Sequence, residues 1–188
     1  MKGKETGKPV VNGRVPKVLF VCLGNICRST AAQAVLESLA RERGIPVEVD
    51  SAGTYGGHAG QGADPRMKVH ARRRGYELTH RARRVRENDF DHFDLVIGMD
   101  DANIADLRDL APTPEAQARI RRMADYLRQH PGWDHVPDPY YEGAEGFELV
   151  LDLLEDACLS LLDTFNENSN ADFNRLNDSS SSSKSFNR

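Results

Sequence analysis

Val18-Leu19-Phe20-Val21-Cys22-Leu23-Gly24-Asn25-Ile26-Cys27-Arg28-Ser29 is the stretch that decides the fold. Four apolar residues run into a cysteine. A short polar turn follows, then an arginine, a serine and an alanine-rich segment. The pattern reads as a buried strand, a tight loop and the N-terminus of a helix, with a thiol and a guanidinium facing one pocket. Cys-x5-Arg alone recurs by chance. The strand before it, Gly24-Asn25 inside it and Ser29 after it make the combination specific.

The chemistry follows from the residue types. Gly24 permits a turn that points amide N–H groups inward. The helix starting near Arg28 adds its free N–H groups and its dipole, and together these make an anion nest. The planar fork of Arg28 matches two phosphate oxygens. The same positive surroundings favour the thiolate form of Cys22, which can take a phosphoryl group as a cysteinyl-phosphate. Ser29 can hydrogen-bond that thiolate and help it leave, and Asn25 can brace the loop. The plain alternative for Cys22 is a core cysteine, but core cysteines rarely end a strand before Gly-Asn.

Working outward, strands and helices alternate. Ser29 to Arg43 carries Ala31, Ala34, Val35, Leu36 and Leu39 near helical spacing and is stopped by Gly44 and Pro46. Val47 to Asp50 is a short strand, and Asp64 to Arg74 a helix with Asp64-Pro65 as its cap and first residue. Asp94 to Gly98 is a second buried strand, and Asp101 to Leu110 a short helix. Ala116 to Tyr126 is open between helix and a turn into strand near Met123. Glu145 to Phe165 is a helix with Phe147, Val150, Leu151, Leu154, Cys158, Leu161 and Leu162 on one face. Such alternation predicts an α/β fold: a parallel twisted sheet with helices on both faces. Ligands bind at the carboxyl ends of such strands, where Cys22 and the phosphate-binding loop lie.

The ends differ in composition. Residues 1–16 read as a flexible leader. Residues 166–188 are Asn/Ser-rich, ending in Ser179 to Ser183, and read as a disordered tail. One domain, 17–165, lies between.

A thiolate nucleophile needs an acid for the leaving group. Asp138 sits between Pro137 and Pro139 on a rigid loop, with Tyr140-Tyr141 beside it as an aromatic wall. By itself this stretch could equally be a proline-rich turn. Taken with the Cys22–Ser29 loop, it resembles the low-molecular-weight protein tyrosine phosphatases. Asp50-Ser51-Ala52-Gly53-Thr54, Asp64-Pro65-Arg66, His80-Arg81-Ala82-Arg83 and Gly98-Met99-Asp100 fall in the same order, so the resemblance spans nearly the whole domain. It implies hydrolysis of phosphotyrosine and aryl phosphates with Cys22 as nucleophile, residues Leu23, Gly24, Asn25, Ile26, Cys27 and Arg28 around the phosphate, and Asp138 as general acid. It further implies that Ser29 activates the thiolate, that Asn25 and Ser51 hold the loop, and that His80 and Asp100 form a supporting hydrogen-bonded pair. Members use no metal and no cofactor, and this chain shows no metal-ligand spacing. Members usually place an aromatic residue on the pocket wall where this chain has Gly57. Either Tyr55 substitutes for it, or the pocket is more open there.

Rival readings are weaker. Arsenate reductases with a related loop relay electrons through cysteines in mid-chain, and here none lies between Cys27 and Cys158. Protein-arginine phosphatases of the family carry threonine where this chain has Ile26 and lack the double tyrosine. A nucleotide P-loop lacks its Gly-Lys-Ser/Thr, and a zinc site on Cys22 and Cys27 lacks a second ligand pair. A non-catalytic module should have lost the cysteine, the arginine or the acid. Cys27 either traps oxidised Cys22 as a disulfide or packs under the loop.

Charge and composition set the setting. The net charge of −4 gives no sign of nucleic-acid binding. No apolar run is long enough to span a bilayer. Three cysteines suit a reducing, cytoplasmic compartment. Partners expected are phosphotyrosine proteins and, by family analogy for a bacterial source, a tyrosine kinase of capsule or exopolysaccharide synthesis. The basic run Arg66 to Arg86 reads either as a solvated face or as a field steering acidic phosphopeptides. His58, His70, His92, His130 and His135 read as surface residues.

Overall fold

The computed structural model describes residues 14–181, and side chains through Glu167. Strand β1 (Lys17–Cys22) lies at the centre of a four-stranded sheet of order β2-β1-β3-β4, every pair parallel. Its neighbours are β2 (Glu48–Gly53) and β3 (Leu95–Gly98), with β4 (Ile120–Arg122) beyond β3. The central strand is apolar on both faces because both are covered. Val18, Phe20 and Cys22 pack with Val35, Leu36, Leu151, Leu154 and Cys158, which come from α1 (Arg28–Arg43) and α6 (Ala144–Ser181). Leu19 and Val21 face the other way, onto Ala52, Phe90, Phe93, Val96 and Leu107, around α3 (Asp89–His92) and α4 (Asp101–Leu110). Each such Val, Leu or Phe side chain, fully buried, contributes about 1.5–3 kcal/mol.

The remaining elements are short. Asp64 caps α2 (Pro65–Arg73), its carboxylate accepting the Arg66 N–H at 2.8 Å, as Asp-Pro predicts. The open segment 116–126 is split three ways: α5 (Pro114–Gln117), β4, and a 3-10 turn over Met123–Tyr126. The four-residue α3 went unread because one turn carries no periodicity.

The ends depart from the composition reading. Residues 14–16, expected in the leader, already join the sheet: Glu48 N–H donates to Pro16 O at 2.8 Å, and Arg14 pairs with Asp94. The expected domain end at 165 falls inside α6, whose backbone continues to Ser181. A helix already nucleated over its apolar turns needs only propagation to extend. The rest of the expected leader and tail, 1–13 and 182–188, lies outside the described residues.

Candidate active site

Parallel strands point their carboxyl ends the same way, so β1, β2 and β3 deliver Cys22, Gly53 and Gly98 to one rim of the sheet. The loop after Cys22 is held by its carbonyls. Thr54 N–H donates to Cys22 O at 3.0 Å, Tyr55 N–H to Leu23 O at 2.8 Å, Asp64 N–H to Ile26 O at 2.8 Å and Ala31 N–H to Cys27 O at 3.1 Å. With those carbonyls committed outward, the amide edge is turned to the pocket, and Asn25 N–H lies 3.3 Å from Cys22 Sγ. Gly53 must lack a side chain, because a Cβ there would lie 2.6 Å from Leu23 O. The left-handed turn falls on Asn25 (φ 57°), not on Gly24 as the sequence suggested. Asparagine tolerates that region better than other side chains.

Asn25 is the hub. Its Oδ1 accepts the backbone N–H of Arg83 at 3.0 Å, an unambiguous donor, so the amide orientation is fixed. Its Nδ2 therefore donates to Ser29 Oγ at 2.8 Å and Ser51 Oγ at 3.0 Å. Ser51 in turn donates to Gln33 Oε1 at 2.7 Å. With its oxygen accepting from Asn25, the Ser29 hydroxyl proton is free for Cys22 Sγ, 3.0 Å away. The structure corrects one expected pair: His80 does not bond Asp100. His80 Nε2 meets Asn25 Oδ1 at 3.0 Å, and must donate since that oxygen accepts. Burial, with the nearby Arg83 guanidinium, outweighs Asp50 and holds the His80 pKa below its usual value.

Asp100 serves Arg28 instead. One of its oxygens caps α4 through Asn103 N–H at 2.9 Å, and the other takes Arg28 Nη1 at 2.6 Å. Arg28 Nη1 also donates to Val136 O at 3.1 Å. This occupies Nη1 of a guanidinium that is almost fully buried and lines the cleft, leaving Nη2 on the side of Asp138. Nη2 lies 3.6 Å from Asp138. Burial alone would depress the Arg28 pKa, but the electrostatic influence of Cys22 and of the Asp100 and Asp138 carboxylates reverses this and holds it above the ordinary value. The guanidinium stays charged.

A cleft of about 230 Å³ opens over this floor, lined by Cys22, Leu23, Gly24, Ile26, Cys27, Arg28, Tyr55, His58, Asp138, Tyr140 and Tyr141. The expected nucleophile, anion-binding residues, acid and tyrosines thus share one cavity, while Asn25, Ser29, Ser51, His80 and Asp100 lie behind it. Asp138 is 44% exposed, its Oδ1 accepting Tyr140 N–H at 3.0 Å. The wall question is answered by Tyr55. Its ring lies across Gly57, where a Cβ would come within 2.1 Å of it, and meets the His58 ring edge-on at 5.9 Å. His58, read as surface, lines the cleft; His70, read likewise, is buried and bonded to Glu148 at 2.6 Å. Val136 O, Gln33 and the Arg83 amide also escaped the sequence, since a backbone group or a lone glutamine carries no motif. Burial, then the charges of Asp64 and Cys22, push the Cys27 thiol far up, so it does not rival Cys22 as the nucleophile toward phosphorus. Among the described residues no cluster of three His, Cys, Asp or Glu could hold a metal.

A thiol at the end of a central parallel strand, a loop of inward amides, a buried charged arginine and a carboxylate across the cleft are the groups that phosphoryl transfer through sulfur requires. The comparisons with known proteins agree. The family model for low molecular weight phosphotyrosine protein phosphatase matches residues 17–171. The low molecular weight protein-tyrosine-phosphatase of Streptomyces coelicolor is 44% identical over 149 residues, 78% of this chain and 91% of its own length. Low molecular weight phosphotyrosine protein phosphatase 1 of Drosophila melanogaster is 41% identical over 150 residues, 79% of this chain and 96% of its own. A crystal structure of the protein tyrosine phosphatase from Entamoeba histolytica, with Hepes in its active site, superposes with a TM-score of 0.77 at 41% identity, covering 81% of this chain and 97% of that one. The chain belongs to the low molecular weight phosphotyrosine protein phosphatases, metal-independent hydrolases that work through a cysteinyl-phosphate.

Proposed function

We propose that Cys22, Arg28 and Asp138 perform this chemistry on phosphotyrosine in protein substrates. The Arg28 guanidinium and the loop amides hold the three peripheral phosphate oxygens. Cys22 thiolate attacks phosphorus; the S–P bond forms as the tyrosyl O–P bond breaks, and Asp138 gives its proton to the leaving phenolate oxygen. A water then attacks the cysteinyl-phosphate, its proton passes to Asp138, and inorganic phosphate departs as Cys22 returns to a thiolate held by the Ser29 hydroxyl. Tyr55 on one side and Tyr140 and Tyr141 on the other suit a flat phenyl ring between them.

The observation that carries this reading is the convergence of Cys22, buried Arg28 and Asp138 on one cleft, with Ser29 Oγ behind it at 3.0 Å from Cys22 Sγ. A cytoplasmic setting and a tyrosine kinase among the substrates go with it. Among the described residues no helix is long and apolar enough to cross a membrane. The test is a side-by-side assay of wild type and Cys22→Ser on phosphotyrosine, phosphoserine and phosphoarginine peptides, with arsenate plus thioredoxin as a further arm. Wild type should release phosphate from phosphotyrosine by preference. Cys22→Ser should be inactive while still binding vanadate, because a hydroxyl is a far weaker nucleophile than a thiolate. Preferred phosphoarginine cleavage, or activity within about tenfold of wild type in Cys22→Ser, is incompatible with the reading.

A further inference from the structure

Arg66 lies outside the cleft lining, yet it joins the two loops on which the chemistry depends. Its fork grips Asp64 at two points, Nε to Oδ1 at 3.1 Å and Nη2 to Oδ2 at 2.9 Å. Asp64 is buried, and its own N–H donates to Ile26 O of the phosphate loop at 2.8 Å. The flat guanidinium also stands 4.9 Å from the ring centre of Phe147 on α6 and 5.3 Å from that of Tyr140 on the acid loop. Phe147 is itself stacked on His70, ring centres 5.5 Å apart and planes 6° from parallel. Tyr140 completes the path, since its N–H holds Asp138 Oδ1 at 3.0 Å. Contacts therefore run without a break from phosphate loop to Asp64, Arg66, Tyr140 and Asp138.

We infer that Arg66 is a positioning residue that fixes the acid loop relative to the phosphate loop. This rests on the reading of Asp138 as the general acid. The loop needs such a tie because its outer part is poorly packed: Tyr140 is 39% exposed and Tyr141 94%. Proton transfer to a leaving oxygen tolerates little displacement, and misplacement by about 1 Å costs about a hundredfold in rate. A lysine replaces Arg66 only in part, because it keeps the charge but not the planar cation that grips a carboxylate and faces two rings at once.

The test compares Arg66→Ala, Arg66→Lys, Asp138→Asn and the Arg66→Ala/Asp138→Asn double variant. Arg66→Ala should lower kcat on a phosphotyrosine peptide by about tenfold to a hundredfold. It should slow p-nitrophenyl phosphate, whose leaving group needs a proton less, by a smaller factor. Vanadate inhibition should stay within about twofold of wild type, and in the Asp138→Asn background the alanine should add no further loss, because both changes remove one function. Arg66→Lys should fall between. Deuterium uptake should rise in residues 137–142 of Arg66→Ala and stay at the wild-type level in 22–29. Equal losses on both substrates, additive losses in the double variant or weakened vanadate binding would overturn the inference and make Arg66 a brace of the phosphate loop. Should Asp138→Asn show no leaving-group dependence, the acid assignment fails on its own account. Deuterium uptake then still decides whether Arg66 holds the loop, and unchanged uptake in 137–142 refutes it.

Discussion

Replacing Ser29 by alanine isolates the second half of the reaction. The Ser29 hydroxyl accepts from Asn25 Nδ2 at 2.8 Å, and of the two acceptors left for its proton Cys22 Sγ at 3.0 Å is nearer than Ala52 O at 3.4 Å. When the cysteinyl-phosphate breaks, negative charge returns to sulfur, and this hydrogen bond strengthens as it does. A hydrogen bond to a charged group in a buried site is worth about 1.5–3 kcal/mol. At 1.36 kcal/mol per tenfold, its loss slows release of the thiolate by about 10- to 150-fold. Cleavage of the substrate ester depends on it less, since charge then leaves sulfur. Ser29→Ala should therefore accumulate cysteinyl-phosphate. Stopped-flow mixing with p-nitrophenyl phosphate should show a burst of nitrophenol close to one equivalent, then a steady state lowered by the stated factor. Asn25 keeps its Ser51, His80 and Arg83 partners, so the loop itself should persist and vanadate should bind as before. A Ser29→Ala enzyme with no burst and an unchanged steady-state rate would refute the assignment.

Three other outcomes are expected. Asp138→Asn should slow phosphotyrosine release by about 10²–10⁴-fold and p-nitrophenyl phosphate by less; equal losses in steady-state assays on both would move the acid elsewhere. Mild peroxide should inactivate wild type reversibly through a Cys22–Cys27 disulfide, seen as a linked peptide by mass spectrometry, while Cys27→Ser should not recover with reductant; equal recovery leaves Cys27 as packing under the loop. Asp156 accepts the N–H groups of Arg128, Gln129 and His130 and the His130 ring at 2.8–3.2 Å. Burial raises its pKa, but these donors outweigh that and hold it below the usual value. The folded pKa is depressed, so its stabilisation is present above about pH 4 and is lost as pH falls through the folded value. Asp156→Ala should cost about 1–3 kcal/mol in urea melts at pH 7, the gap from wild type narrowing below about pH 4; a gap independent of pH would exclude the charge.

What could be read from the sequence was local. Val18 to Ser29 announces strand, loop and helix because each step is encoded within a few residues: a β-branched apolar run, a turn, then alanines. Asp64-Pro65 announces a helix start for the same reason. The groups that aim the site come from far along the chain. Asn25 meets His80 and Arg83, and Arg28 meets Asp100 and Val136 O. Nothing in residue type distinguishes the observed partners from His80 with Asp100, both polar and both near the rim. The choice is made by strand order, which places the capping residue of α4 under Arg28 and the segment after α2 under Asn25. Gly57 shows the same limit. Its sequence position marks an absent wall, and only the fold shows the Tyr55 ring filling the space that glycine leaves.

The basic run between Arg66 and Arg86 reads in sequence either as a solvated face or as a field for steering acidic substrates. In the fold much of it is spent at short range. Arg66 grips Asp64, and Arg72 bonds Glu77 at 3.0 Å. Arg74 is shared among Glu148, Asp152 and Glu155. Arg83 spans Asp50 and Asp89 at 3.0 Å each. Pairs so close largely cancel beyond about 10 Å, one screening length at 0.1 M salt, so little long-range attraction remains from these four. Their reach is inward instead. Arg83 brings its own N–H to Asn25 Oδ1, which orients the amide that orients Ser29 toward Cys22. Arg66 ties the phosphate loop to Tyr140. At Arg66 and Arg83 the charge works in three dimensions as bracing, and it braces the two loops whose relative placement the phosphatase reaction requires.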